Sequence, residues 1–394
     1  MLRAALIGFG STGKTTLFQL MTSAKDSSRS PHGRTEAFVG ISKVPDARLD
    51  RLTAMYNPKK RVPATIEFFD LAGPSATSGA KTLVDVAAYK NADALVHVIR
   101  AFDNPAVAHP SGSINPARDA QAMEDELILA DLSVAERRLE RIDQDLKKNR
   151  SADLERERHV VTICRASLEE GRPLRALDLA GDDLKWLRGF QFLSAKPLLI
   201  VINVDEKQLT ERGSVEAGYP NPAAGHDVEH AAEGGRPQGR GAKLTGAAER
   251  AGLLPFLARA RTAAVAVCAK IELEIAQLDA ADAAAFRADL GLTESGLDRV
   301  IRASYDLLGY ISFFTVGEDE CRAWSIPRGT PAHVAAGEIH SDIARGFIRA
   351  EVVAYDALIA RGTMAACREH GEIRLEGKEH VVQDGDIINF RFAT

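Results

Sequence analysis

Between Leu2 and Cys268 the chain carries several short apolar runs. Leu2–Ile7 ends at Gly8 and predicts a buried strand, and Thr15–Met21 reads as the helix that follows it. Ala64–Asp70 (ATIEFFD) is rich in β-branched and aromatic residues and is stopped by Ala72-Gly73-Pro74. Ala94–Ile99, Leu198–Ile202 and Ala263–Cys268 are apolar runs, as expected of parallel strands covered on both faces. Helical patterns separate several of these runs, which predicts an α/β, doubly wound arrangement.

Between Leu127 and Phe192 the texture changes to charge and helix formers. Ile128, Leu132, Ala135, Leu139, Ile142 and Leu146 are spaced 4, 3, 4, 3, 4, the seam of a coiled-coil arm rather than an ordinary amphipathic helix on a core. A second helix through Leu154–Leu168 can return along it and end at Gly171-Arg172-Pro173. Residues 207–246 are rich in Gly, Ala, Pro and charge and read as a mobile surface insertion. Beyond Tyr310 short alternating runs recur (Ile311–Val316, Arg322–Ile326, Phe347–Ala354, His380–Val382, Ile387–Phe392), with one helix near Ala332–Ile339. The expected division is therefore 1–126 with 197–305, an arm over 127–196, and a β-rich domain over 306–394. No internal repeat is evident.

Composition narrows this picture only a little. The chain has 394 residues, 27 % of them charged and 45 % hydrophobic, which excludes collagen, a wholly disordered chain and a disulfide-stapled mini-protein. A net charge of −5 argues against coating nucleic acid by bulk charge and leaves only local basic clusters for such contact. Cys164, Cys268, Cys321 and Cys367 are too scattered for a metal site and suit reduced thiols in the cytoplasm. The apolar start is short and leads into a polar glycine loop, so neither a signal peptide nor a membrane span is expected.

The candidate chemistry lies in three motifs. Gly8-Phe9-Gly10-Ser11-Thr12-Gly13-Lys14-Thr15 fits G-x-x-x-x-G-K-[ST] at every fixed position, between a strand and a helix. Glycines let backbone N–H groups curl around phosphates, and a helix N-terminus adds positive potential. Lys14 reaches the β- and γ-phosphates, and the Thr15 hydroxyl is a Mg²⁺ ligand. Gly8, Ser11, Thr12, Gly13, Lys14, Thr15 and Thr16 are the phosphate-side candidates. Asp70-Leu71-Ala72-Gly73 supplies D-x-x-G at a strand end: Asp70 can hold a metal-bound water, and the Gly73 N–H can sense a γ-phosphate. Asn203-Val204-Asp205-Glu206 stands where guanine is read by N-K-x-D, but Val204 replaces the lysine and the acid falls at Glu206. Strong guanine preference needs a well-placed carboxylate, so ATP is expected over GTP. The alternative is that Asp205-Glu206 is a solvated loop. A further strand leads to Ala269, whose backbone N–H is a candidate base contact.

With these motifs in order, the chain resembles the YchF/Obg-like ATPase family of P-loop proteins over nearly its whole length. The resemblance runs through GFGSTGKTTLF, VPDARLD, IEFFDLAG, ADALVHVIRAF, INVDE, VCAKIELEIAQLD, IHSDIARGFIRAEV and VQDGDIINFRF. It implies a GTPase-like P-loop domain with a mostly parallel sheet, an inserted α-helical coiled-coil arm and a C-terminal TGS domain of β-grasp fold. It also implies ATP selection through Asn203 and Glu206, weak Mg²⁺-dependent ATP hydrolysis, and association with the ribosome or its RNA. A monomer with no membrane contact is expected. A switch threonine that ligates Mg²⁺ falls at Thr35 counting from the P-loop and at Arg34 counting back from VPDARLD; only Thr35 has a hydroxyl.

This sequence also departs from the family pattern. Ser11 replaces an Asn that helps hold potassium in related enzymes, so a potassium requirement is not carried over. Gly10 replaces a proline. Pro74 follows D-x-x-G where no glutamine can orient water, and the glycine-rich switch is about three residues shorter than the family's. The insertion at 207–246 adds length. Three functions follow: a slow Mg²⁺-dependent ATPase switch, a nucleotide-sensing ribosome or RNA adaptor with little turnover, and a GTPase reading its base with Asp205. His97 reads as a core histidine, and His340 with Asp342 as a turn network. Lys59-Lys60-Arg61, Arg137-Arg138 and Lys147-Lys148-Asn149-Arg150 are the basic clusters, the last near the arm tip, where it could touch RNA phosphates.

Overall fold

A computed structural model describes residues 2–22, 28–32, 35–71, 89–149, 151–179, 183, 186–187, 189–210 and 245–393. The chain divides into two units: Leu2–Ile41 with Glu67–Leu307, and Ser42–Ile66 with Leu308–Thr394.

The first unit is built on a seven-stranded sheet. In chain order its strands are β1 (Leu2–Ile7), β2 (Ser28–His32), β3 (Thr35–Lys43), β5 (Thr65–Leu71), β6 (Ala94–Arg100), β7 (Leu198–Asn203) and β8 (Thr262–Val267), with β4 (Lys60–Val62) belonging elsewhere. The spatial order is β2-β3-β5-β1-β6-β7-β8. β1, β6, β7 and β8 are mutually parallel, with Ile7 opposite His97, Arg100 opposite Asn203 and Asn203 opposite Val267. β2 and β3 form an antiparallel pair. Every residue of β6, β7 and β8 is buried, the result expected of an apolar run covered on both faces.

The helix α1 (Lys14–Met21) follows the glycine loop and buries Leu17, Phe18 and Met21. The segment Ala47–Tyr56 is α2, in the second unit. The long helix α3 (Pro116–Lys148) starts earlier than the expected arm at Leu127. Asn115 accepts the Arg118 backbone N–H as its cap and Pro116 opens it, while Ala120, Met123 and Leu127 pack into the core of the sheet. One helix thus runs unbroken across the expected boundary.

Farther along, Ile128, Ala135, Leu139 and Ile142 are buried, and the first three share a cluster with Val160, Val161, Cys164 and Leu168 of α4 (Ala152–Glu169). Ion pairs Arg138–Glu157 and Asp143–Arg158 link the two helices. Its return is anchored by charge. Arg175, fully buried, donates twice to Glu124 at 2.5 Å and once to the Thr262 hydroxyl at 3.2 Å; Arg259 adds a 3.0 Å bond to Glu124. The Asp131 carboxylate accepts the Leu193 and Ser194 N–H groups.

The 207–246 reading is corrected at both ends. Glu206–Thr210 and Thr245–Arg250 are helical, and Leu209 is buried in the core. Residues 211–244 lie outside the described residues.

The second unit carries a six-stranded sheet formed by β4, β9 (Tyr310–Thr315), β10 (Glu320–Pro327), β11 (Phe347–Ala354), β12 (Arg374–Glu376) and β13 (Asp386–Phe392), in the order β12-β11-β13-β9-β10-β4. Its first and last long strands, β9 and β13, are adjacent and parallel, each with an antiparallel neighbour, and helix α6 (Ala332–Ile339) packs on the sheet core. That is the β-grasp arrangement. The run His380–Val382, expected as a strand, makes only the single bridge Pro331–Val381, because the chain turns at Gln383–Asp386.

A continuous 1–126 domain is also corrected, since Ser42–Ile66 belongs to the second unit. β4 pairs in parallel with β10. Lys59 and Lys60 meet Asp319 and Glu320, and Arg61 meets Asp50. The basic cluster is therefore charge-neutralised at a strand edge. Leu49 and Leu52 of α2 are wholly buried, and Arg48 bridges Asp46 and Asp384 while lying 5.2 Å from the Phe314 ring centre.

Candidate nucleotide-binding site

The loop after β1 turns on residues that most side chains could not replace. Gly8 has φ +142°, and a Cβ there would meet the Val98 carbonyl at 2.5 Å. Gly13 has φ +92°, and a Cβ there would lie 2.5 Å from the Asn203 amide nitrogen. Gly13 is the N-cap of α1 with no side-chain cap, so backbone donors of the first turn are left for an outside acceptor.

Lys14 folds over this loop and donates to the Gly8 and Phe9 carbonyls at 2.8 and 2.6 Å. Burial pulls its ammonium below the ordinary lysine range, against the pull of Asp70. The Thr15 hydroxyl donates to Asp70 Oδ2 at 2.7 Å. Asp70, at the end of β5, is 3 % exposed, and its Oδ1 is buried with no hydrogen-bond partner. Burial raises its carboxyl above the usual range, with Thr15 and Lys14 opposing.

A hydroxyl and a carboxylate with one unsatisfied oxygen are hard donors of the kind Mg²⁺ takes. Among the described residues no group of three or more His, Cys, Asp or Glu gathers. Mg²⁺ at phosphate sites typically relies on one or two protein oxygens plus phosphate and water, so Thr15 and Asp70 fit it.

Asn203 ties the phosphate side to the base side. Buried at 3 % exposure, it donates from Nδ2 to the Thr12 carbonyl at 3.0 Å and accepts the Ala269 N–H on Oδ1 at 3.1 Å. Ala269 opens the helix α5 (Ala269–Ile275). Its N–H is thus spent on Asn203, which corrects the expectation that it contacts the base. Val204 is buried in the core at 4 % exposure, so its side chain does not provide the flat cover of the lysine it replaces. Asp205 accepts the Gln208 N–H at 2.8 Å and its own N–H bonds the Gln208 side chain, a reciprocal cap on the short helix 206–210. Glu206 is exposed.

A cleft of about 540 Å³ is lined by Gly13, Thr16, Asn203–Lys207 and Cys268–Lys270, and also by Phe102–Asn104 and Leu273. The structure therefore brings together the loop residues Gly8–Thr16, Asp70, Asn203, Val204, Glu206 and Ala269. Thr35 is placed by its backbone in β3, opposite His32, but its side chain lies outside the described residues, as do Gly73 and Pro74.

Sequence reasoning missed Phe102, Asp103 and Asn104. The available signal was Arg100, a charge closing an otherwise apolar strand. His97 is a core residue: it is 1 % exposed, and burial pushes it down to about 3. His109 pairs with Asp119 at 3.0 Å, and His340 caps the turn at Ser341–Arg345.

Strand, glycine loop with Lys14 and Thr15, strand-end Asp70 and a mainly parallel sheet define a P-loop NTPase of GTPase-like fold. Comparisons with known proteins place it further. The YchF-GTPase C-terminal family, described as "Protein of unknown function (DUF933)", matches residues 310–393. The chain is 38 % identical over 400 residues to a protein of Bacillus subtilis named ribosome-binding ATPase YchF, covering 99 % of each. It is 31 % identical over 395 residues to the rice protein named Obg-like ATPase 1, covering 99 % of this chain and 92 % of the relative. The structure of the Schizosaccharomyces pombe YchF GTPase superposes with a TM-score of 0.80 at 25 % identity, over 99 % of this chain and 97 % of that one. The chain belongs to the YchF/Obg-like ATPase family. Among the described residues no helix is long and apolar enough to cross a membrane.

Proposed function

We propose that this chain is a Mg²⁺-dependent nucleotide switch of the cytoplasm that binds ATP in preference to GTP. It hydrolyses ATP slowly to ADP and phosphate and associates, as a monomer, with the ribosome. The observation that carries the base assignment is the reciprocal cap between Asp205 and Gln208. A carboxylate committed to a helix end is poorly placed to accept both N–H groups of guanine. Glu206, exposed and lining the cleft, is the acid assigned to accept an exocyclic amine.

On the phosphate side, Lys14 exchanges the Gly8 and Phe9 carbonyls for β- and γ-phosphate oxygens. The backbone donors of the loop supply most of the electrostatic stabilisation. Thr15, Thr35 and Asp70 would hold Mg²⁺, which would supply positive charge to the phosphates. The Gly73 N–H senses the γ-phosphate. The ribosome reading is supported by the names of the relatives and by exposed Lys147 and Lys148 in the last turn of α3. Pro74, where other P-loop enzymes have glutamine, favours a second reading: an adaptor that binds nucleotide with little turnover.

The test is calorimetric titration of ATP and GTP with Mg²⁺, in potassium and in sodium, against wild type and Lys14→Ala. ATP should bind more tightly than GTP, with equal affinity in both salts, and Lys14→Ala should abolish binding. GTP binding roughly tenfold tighter than ATP would overturn the base assignment. Single-turnover hydrolysis no faster than the spontaneous reaction, with ATP still bound, selects the adaptor.

A further inference from the structure

Arg100 ends β6 beside Asn203, its register partner in β7, and the Ala101 N–H donates to the Asn203 carbonyl at 2.9 Å. The side chain is almost wholly buried, at 2 % exposure. Among the described residues no carboxylate pairs with it. Its compensation comes instead from three backbone carbonyls. Nε donates to Phe102 at 3.2 Å, and Nη2 donates to Asn104 at 3.2 Å and to Val107 at 3.0 Å. The guanidinium carbon also lies 4.8 Å from the centre of the Phe102 ring. Nη1 is buried with no partner.

A buried charge of this kind is an expensive way to fill space, since an apolar side chain of similar volume carries no desolvation cost. What an apolar side chain lacks is a rigid planar fork that spans several acceptors. The acceptors belong to a stretch without regular secondary structure, in which Asp103, Pro105, Ala106 and Val107 are exposed. Left alone, such a stretch samples many conformations. Phe102, Asp103 and Asn104 also line the cleft with Asn203–Lys207 and Lys270. This buried cation is therefore spent on the shape of a cleft wall that lies outside the three nucleotide motifs.

We propose that Arg100 is a positioning residue for base recognition: it holds the Phe102–Asn104 wall in the shape that accepts the nucleotide's base. The inference rests on the nucleotide reading of the cleft. It separates Arg100 from the phosphate loop, because the tethered wall and the Lys14–Thr15 segment are different parts of the site. Arg100→Lys keeps the charge and most of the stem but replaces the fork with a single ammonium, which cannot span three carbonyls.

The experiment titrates Mg²⁺–ATP and Mg²⁺–inorganic tripolyphosphate against wild type, Arg100→Lys and Lys14→Ala. Arg100→Lys should weaken ATP by roughly tenfold or more while tripolyphosphate stays within about twofold; Lys14→Ala should weaken both. In parallel, hydrogen exchange on the wild-type protein should show the amides of residues 102–107 slowing when ATP is added. That arm stands even if Arg100→Lys does not fold. Equal loss of ATP and tripolyphosphate in folded Arg100→Lys, ATP affinity within about twofold of wild type, or unchanged exchange at 102–107 overturns the proposal. A wild-type protein that does not bind ATP, or binds it independently of Lys14, refutes the nucleotide reading instead.

Discussion

Replacing Asn203 with alanine removes both bonds that join the phosphate loop to the base side of the cleft. The Thr12 carbonyl loses a donor at 3.0 Å and the Ala269 N–H loses an acceptor at 3.1 Å, in surroundings where Asn203 and Thr12 are 3 % and 2 % exposed. A buried polar group stripped of its partner costs about 1–3 kcal/mol, so two of them cost roughly 2–6 kcal/mol. In a unit of this size about 2 °C of melting temperature is lost per kcal/mol, which predicts a fall of roughly 4–12 °C by calorimetry. ATP affinity should drop with it, because the Thr12–Gly13 turn is no longer fixed. Asn203→Asp sharpens the test. It keeps an acceptor for Ala269 but sets a carboxylate against the Thr12 carbonyl, so it should be no better tolerated than alanine. A melting temperature within about 1 °C of wild type, together with unchanged ATP affinity in Asn203→Ala, would refute the idea that this side chain joins the two halves of the site.

Other predictions concern burial and charge. Glu124→Ala leaves Arg175, wholly buried, and Arg259 without their carboxylate and should cost about 3–5 kcal/mol in urea unfolding. Glu124→Leu with Arg175→Met should recover most of that loss, and a Glu124→Ala cost below about 1 kcal/mol would contradict the account. Gly13→Ala must accept a Cβ 2.5 Å from the Asn203 amide at φ +92°, so it should lower both melting temperature and ATP affinity in titrations. His97, held near 3 by burial, is neutral in the fold, whereas the unfolded chain takes up its proton near 6.5. Its stabilisation is therefore lost as pH falls from about 6.5 towards 3, at up to about 1.4 kcal/mol per unit. Asp131, pushed up to about 6 by burial, acts in the opposite sense, since its contribution is present at low pH and lost as pH rises to about 6. Between pH 6 and 4, urea unfolding should show His97→Leu gaining stability relative to wild type and Asp131→Asn losing it. No change in either difference across that range would refute the assignments.

The parts of the fold legible in the sequence are those whose cause is local. β1, β6, β7 and β8 could be read because a strand buried on both faces is apolar at most positions. The glycine loop could be read because its backbone geometry excludes most side chains at Gly8 and Gly13. β4 could not. Lys60-Arg61-Val62 looks like a solvated basic run, and it becomes a strand only because Asp319 and Glu320, far away in sequence, offer charge and backbone partners. The start of α3 was hidden for a related reason: Ala120, Met123 and Leu127 follow the sheet core rather than the heptad seam. At the site, Lys14, Thr15, Asp70 and Asn203 were legible as motif positions. The wall at Phe102–Asn104 was not, because its shape depends on a guanidinium whose burial no motif records.

The pairing of β4 with β10 has a consequence for biosynthesis. Residues 42–66 emerge early, yet the partners of Lys60–Val62 lie about 260 residues later, in Glu320–Arg322. At a synthesis rate of about 5–20 residues per second, that interval lasts roughly 13–52 s. During it Leu49 and Leu52, wholly buried in the finished unit, have no cover from β9–β13. The sheet of the first unit can assemble as the chain emerges, since most of its pairings close before Leu307. The second unit is limited by its most distant contact and closes last. Chains stopped before Glu320 would carry α2 with Leu49 and Leu52 uncovered by these strands. They would be marked for capture by chaperones or proteases even with an intact nucleotide fold.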